Sequence, residues 1–249
     1  MPNNYFQFKK FTVQQEHCAM KVTTDACLFG AWAASIINNE KLIITKGLDI
    51  GIGTGLLSLM LAQKSSAPIH AVEIDEAAAT QAKENFALSP WRERLHVHQT
   101  SIQQFSNPPI NQLTNKPINA FDFIITNPPF FDNDLKSEDE KRNIALHSSS
   151  LNFTALLQAI KANLTNDGCF AILLPYHRTN YFMELAIENG FYLQEKVLVK
   201  QTEKHGCFRS MLLFSYQQTS TIETEIIIKQ NNQYSEAFIH LLKDYYLQF

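Results

Sequence analysis

Leu42-Ile43-Ile44-Thr45-Lys46-Gly47-Leu48-Asp49-Ile50-Gly51-Ile52-Gly53-Thr54-Gly55-Leu56-Leu57-Ser58-Leu59-Met60-Leu61-Ala62-Gln63 decides the fold. The β-branched run Leu42 to Ile50 predicts a strand, three glycines at alternate positions predict a tight turn, and Leu56 to Gln63 carries the Leu/Met face of a helix. Strand, glycine turn and helix together open a parallel α/β unit.

The same rhythm continues downstream. Ile69 to Ile74 predicts a second strand bearing Glu73, and Glu76 to Leu88 an Ala-rich helix. Leu95 to His98 predicts a third strand and Phe121 to Thr126 a fourth; between them, the proline- and asparagine-rich stretch Asn107 to Pro117 predicts a surface loop. After a charged loop, Asp132 to Asn143, helical spacing returns from Phe153 to Leu164. Cys169 to Leu174 predicts strand five, Tyr181 to Asn189 a helix stopped by Gly190, Tyr192 to Val199 strand six and Ser210 to Tyr216 strand seven. Lys200 to Gly206 is too short for a crossover helix, so the last two strands must pair antiparallel. The expectation is a seven-stranded Rossmann-like mixed sheet, mostly parallel, with an antiparallel hairpin at its end and helices on both faces. Upstream, Asp25 to Ile37 fits a helix with Asp25 as N-cap, and residues 1–37 read as a cap or lid on a single domain spanning 1–249.

Composition narrows the class. Of 249 residues, 45% are hydrophobic and 18% charged, as in soluble globular proteins. No run of about eighteen apolar residues occurs, and Met1 to Phe11 is too polar for a signal peptide, so a cytoplasmic protein without membrane attachment is expected. Cys18, Cys27, Cys169 and Cys207 are scattered with no C-x-x-C pair, and no His-x-x-x-His pair occurs, so reduced thiols and no metal site are expected. A net charge of −3 offers no global attraction to a polyanion; nucleic-acid binding would need a local patch.

In open α/β sheets ligands bind at the carboxyl ends of the strands, and Asp49, Glu73, the residues after His98, and Asn127 all fall there. Glu73 follows Gly51 by 22 residues, a spacing that also suits a nicotinamide dinucleotide. Two features favour S-adenosylmethionine: the turn is G-x-G-x-G, and Asp49 just before it would repel a pyrophosphate but suits an ammonium and a sulfonium. At the end of the fourth strand, Asn127-Pro128-Pro129-Phe130 sets a side-chain carbonyl and stiff backbone carbonyls beside an aromatic ring. Such a group suits a planar NH2, which brings two N–H donors on a conjugated system. The plain alternative is a strand end followed by a Pro-rich turn, and Phe131 suits core packing as well as a substrate wall.

Asp49 to Gly55 resembles motif I of class I S-adenosylmethionine-dependent methyltransferases. Asn127-Pro128-Pro129-Phe130 resembles the N-P-P-Y/F motif of those that act on planar amide or amine nitrogen. Phe8-Lys9-Lys10-Phe11, Met20 to Ala26 with Gly30-Ala31-Trp32, and the tail Tyr234 to Phe249 resemble the bacterial tRNA1(Val) adenine-37 N6-methyltransferase family. The resemblance implies S-adenosylmethionine as cofactor, the anticodon loop of a tRNA as substrate, and adenine N6 as the methyl acceptor. It implies that Glu73 takes the cofactor ribose, that Asp49 with Gly51, Gly53 and Gly55 holds the methionine part, and that Thr23 and Asp25 lie against its amino-acid end. The family usually has an acid followed by Ile after the third strand; Ser101-Ile102 stands here, so Ser101 offers the adenine amine a neutral acceptor in place of a charged one. Asn127, Pro128, Pro129 and Phe130 are the expected catalytic group.

Lys9, Lys10, Lys21, Lys196, Lys200, Lys204 and Arg209 are candidate phosphate ligands, though for any single one a solvated surface is the simpler reading. Lys136, Lys141 and Arg142 alternate with acids and neutralise one another; His147 could face the substrate. A protein glutamine N5-methyltransferase is the competing enzyme, because a primary amide offers the same NH2, and a catalytically silent cofactor-binding RNA module is the competing non-enzyme. A monomer is the default assembly.

Overall fold

In a computed structural model of the chain, the described residues are 3–18, 20–37, 42, 44–106, 110–111, 116–117, 120–128 and 153–249. Strands β1 (Tyr5–Gln7) and β2 (Thr12–Gln14) form an antiparallel hairpin ahead of helix α1 (Thr24–Ile37). Next come β3 (Gly47–Ile50), α2 (Leu56–Ala62), β4 (Ile69–Glu73), α3 (Glu76–Ala87), β5 (Leu95–Gln99) and the short α4 (Ile102–Phe105). Within the proline-rich stretch, β6 (Ile110–Asn111) and β7 (Lys116–Pro117) form a small antiparallel ladder. The chain continues through β8 (Phe121–Thr126), α5 (Phe153–Asn163), β9 (Leu164–Pro175), α6 (Thr179–Glu188), β10 (Tyr192–Thr202), β11 (Cys207–Ser215), β12 (Ile222–Gln230), β13 (Gln233–Tyr234) and α7 (Glu236–Leu242).

Nine of these strands make one sheet in the order β13-β12-β10-β11-β9-β8-β3-β4-β5. The β5, β4, β3, β8 and β9 neighbours are parallel, and β11 runs antiparallel between β9 and β10, as the short 200–206 connection requires. Successive residues of β8 face opposite sides: Phe123 and Ile125 enter a core with α1, α2 and α7, and Ile124 enters another with α5 and α6. Helices therefore cover both faces.

The sheet is larger than the expected seven strands. β12 pairs parallel to β10 on its outer side, burying Ile226 and Ile228, and Asn231 and Asn232, at φ 49° and 64°, turn the chain into β13. Two consecutive positive φ values are what a two-residue hairpin turn of this hand requires. β3 is shorter than expected because the backbone N–H groups of Thr45 and Lys46 donate to the Asp122 carboxylate, at 2.7 and 3.1 Å, leaving those donors no ladder. α1 begins one residue early: Thr23 Oγ1 accepts from Ala26 N–H (3.4 Å), so Thr23 caps the helix and Asp25 lies in its first turn. The N-terminal hairpin is tied to the tail, with Phe8 buried against Phe11 and Tyr246 and Lys9 N–H donating to Tyr245 O (2.8 Å). Among the described residues, no helix is long and apolar enough to cross a membrane.

Candidate functional site

β3 lies between β4 and β8, and Ile50 pairs with Val72 on one side and Thr126 on the other. The next residues, Gly51, Glu73 and Asn127, consequently leave three adjacent strand ends at one level. Thr100 N–H donates to Glu73 O (2.9 Å), which brings Ser101 to the same rim. Thr126 Oγ1–H donates to Ile50 O (2.9 Å) and fastens the end of β8 to β3. Asn127 is half-buried and Pro128 buried. Pro129, Phe130, Phe131, the charged loop and His147 lie outside the described residues.

The glycine turn is held by Val72 O, which accepts from Gly51 N–H (2.9 Å) and Ile52 N–H (3.2 Å). Gly51, Gly53 and Gly55 have φ of 75°, 52° and 85°, a region costly for residues with a Cβ. A Cβ on Gly51 or Gly53 would meet nothing within 4 Å, so open space faces the turn there; on Gly55 it would come within 2.9 Å of the Phe86 ring.

Glu73 accepts three backbone N–H bonds, from Gly53 (3.1 Å), Ile74 (2.9 Å) and Asp75 (3.0 Å), and so staples the turn to the end of β4. Asp49 is fully buried; its Oδ2 accepts from the Ser58 hydroxyl (2.7 Å) and Ser58 N–H (3.2 Å), while Oδ1 has no partner among the described residues. Burial pushes its carboxyl up to about 7, against the opposing pull of the Ser58 bonds and with a smaller push from Glu73.

Ser101 caps α4, its Oγ accepting from Gln104 N–H (3.2 Å). Asp25 accepts from Arg209 Nε (2.7 Å), joining the start of α1 to β11. That ion pair engages the Nε side of the Arg209 guanidinium. Lys196 pairs with Glu223 (2.9 Å) and Lys200 with Glu225 (2.8 Å), and Lys9 donates to the carbonyls of Lys243 and Phe249. Lys10, Lys21 and Lys204 are exposed.

Two residues of the site escape sequence reasoning. Asn85 of α3 is buried, donates to Thr54 O and Gln14 O, and accepts from Gln14 N–H, all at 2.8 Å, clamping the glycine turn to β2. An amide on the inner face of an Ala-rich helix was the only signal available. Cys18 is buried; burial first, and then the charges of Glu73 and Asp75, raise its thiol to about 11, which keeps it neutral.

The residues fit S-adenosylmethionine. A turn with free space before two glycines, and a buried carboxylate oxygen without a partner behind them, suit a ligand bearing both a carboxylate and cationic groups.

Relatedness gives the same reading. Residues 34–172 match the family model of the methyltransferase small domain. The chain is 42% identical over 245 residues, covering 98% of each sequence, to a tRNA1(Val) (adenine(37)-N6)-methyltransferase of Pseudoalteromonas translucida (strain TAC 125). It is 39% identical to the protein of that name from Escherichia coli O157:H7, covering 98% of this chain and 95% of that one. A ribosomal protein L11 methylase from Lactobacillus delbrueckii subsp. bulgaricus shares the fold at TM-score 0.52 and 17% identity, over 76% of this chain and 78% of its own. Relatedness of this extent, over a rim with this geometry, means that the chain belongs to the tRNA1(Val) (adenine(37)-N6)-methyltransferase family.

Proposed function

We propose that the protein methylates N6 of adenine 37 in the anticodon loop of tRNA1(Val), using S-adenosylmethionine. The observation that carries this reading is the register that puts Asn127 and Pro128 one strand away from the open glycine turn. Relatives of that name, similar over their whole length, supply the substrate.

When bound, S-adenosylmethionine supplies a methyl group on a sulfonium. The backbone N–H groups of the turn and the Asp49 carboxylate hold the methionine end, with Thr23 and Asp25 beside it. Glu73 would accept from the ribose hydroxyls. A carboxylate has about four acceptor sites, and three are taken, so holding both ribose hydroxyls requires Gly53 N–H to release it. Ser101 offers its hydroxyl oxygen to the adenine amine.

The N6 lone pair of the target is delocalised into the ring. Asn127 Oδ1 and the Pro128 carbonyl accept its two N–H bonds, which lets the nitrogen pyramidalise and aim its lone pair along the rim. By the resemblance, Pro129 would complete the motif and Phe130 would stack on the extruded base. The N–C bond would form as the methyl–sulfur bond breaks and its electron pair returns to sulfur, with S-adenosylhomocysteine as the leaving group and one N6 proton passing to water; alignment and fixed dipoles, not a strong base, lower the barrier. An unpaired loop makes extrusion of the base inexpensive.

The test is incubation with labelled S-adenosylmethionine and unmodified tRNA, followed by nuclease digestion and mass spectrometry. Methyl on N6 of A37 is expected. Methyl on a glutamine peptide instead, or cofactor binding with no transfer to any RNA or peptide, would overturn the proposal.

A further inference from the structure

Beyond the rim lies a recess of about 400 Å³, lined among others by Met20, Pro175, Tyr176, His177, Phe208 and Arg209. Its size is in the range of ligand-sized clefts. It belongs to the same edge of the sheet: Thr126 of β8 pairs with Ile172 of β9, and Pro175 ends β9 three residues later, opposite Arg209 of β11. Two strand spacings, roughly 10 Å, separate β11 from β8.

The lining has an unusual balance. Tyr176 and Met20 are 47% and 54% exposed, large apolar groups left at the mouth in water. Phe208 is half-buried, with the Arg209 guanidinium 5.5 Å from its ring centre. That guanidinium is already paired with Asp25, so the recess offers aromatic faces and little net charge. Such a surface suits a flat, neutral heteroaromatic group better than a phosphate.

We propose that this recess holds the nucleobase adjoining the target adenosine, stacked against Tyr176 and Phe208, so that two neighbouring bases of the loop are splayed onto one rim. The inference rests on the tRNA-methylating reading and adds a second base-binding subsite to it. Its occupant is recognised by its π-face, so the subsite fixes the path of the strand more than its sequence.

The experiment uses the full-length protein and an anticodon stem-loop RNA with the target adenosine intact, either native or abasic at the nucleotide on its 5′ or its 3′ side. Tyr176→Ala should raise KM for the native RNA by about tenfold or more, leaving kcat and S-adenosylmethionine affinity near native, and Tyr176→Phe should restore KM. One of the two abasic RNAs should show the same KM rise with the native protein and no further rise with Tyr176→Ala, because both changes remove one contact. Unchanged KM in Tyr176→Ala, or losses that add for both abasic RNAs, overturns the subsite while leaving methylation intact. A fall in kcat with both abasic RNAs tolerated would instead make the recess the target-base pocket, against the proposal. Failure of the native protein to methylate the native stem-loop overturns the underlying reading and the subsite with it.

Discussion

Asn127 and Asp49 sit at adjacent strand ends yet answer to different physics. On the proposed mechanism, Asn127→Ala deletes one acceptor for the substrate amine and leaves the glycine turn, Pro128 and the proposed cofactor contacts in place. An interaction that strengthens only as N6 pyramidalises shows in kcat, so steady-state kinetics should give a kcat loss of about 10² to 10³ with KM for tRNA little changed. For Asp49, the folded carboxyl is raised from 3.8 to about 7, so the folded state binds its proton more tightly than the unfolded chain does. Its contribution to stability is then full below about pH 4 and is lost as pH rises to about 7. Urea unfolding across that window should show this slope in the native protein, and the native-minus-Asp49→Asn difference should be flat on either side of it. If Asp49 holds the methionine end as proposed, S-adenosylmethionine should stabilise the native protein more as pH rises through the same window. A pH-independent difference would remove Asp49 as the titrating group. Glycines, an acid before them and an Asn-Pro-Pro-Phe run were legible in the sequence because each is a local signature. The Asp25–Arg209 pair and the Asn85 clamp were not, since they join residues 184 and 71 positions apart with no local trace.

At the scale of elements, the strand–turn–helix unit was readable because periodicity and glycine placement agree, and errors gathered where side chains intercept backbone donors. Asp122 shortens β3 in this way. β12 was missed although Ile226 and Ile228 alternate and Asn231-Asn232 marks a two-residue turn; its exposed first half, with Glu223 and Glu225, masks the apolar alternation. Gly55 is where element geometry is least forgiving, as it caps α2 in the left-handed region against the Phe86 ring of α3. Gly55→Ala should cost about 1 to 2 kcal/mol for the backbone alone, and more for the displaced ring. A lowered urea midpoint together with weaker S-adenosylmethionine binding by calorimetry is the expected result. Unchanged cofactor affinity would mean that the turn tolerates the shift.

Across the whole molecule, the order of the central strands follows from general rules of α/β connection, but the meeting of the two chain ends does not. Nothing local links Phe8 to Tyr246 or Lys9 to Tyr245, and yet these contacts close the layer that covers α1 and α2. Tyr245 is the central fastening: its ring is 1% exposed, and its hydroxyl donates to Met60 O (3.1 Å) in the last turn of α2, where carbonyls lack intrahelical partners. Arg94 serves Ala62 O nearby (2.7 Å), so two distant segments cap the helix that leaves the glycine turn. Tyr245→Phe keeps the ring and loses one bond, about 0.5 to 1.5 kcal/mol. Tyr245→Ala also opens a cavity in the core that the tail shares with α1 and α2, and large aromatic truncations of this kind cost ~3 to 5 kcal/mol. Against a typical total of about 5 to 15 kcal/mol, the second change should leave the protein marginal, whereas the first should be tolerated. Because the loss acts through α2, chemical denaturation should be compared with and without saturating S-adenosylmethionine: the ligand should recover much of the stability of Tyr245→Ala by binding only the folded form. Equal stability of the Phe and Ala variants would show that the tail is not part of the cooperative core.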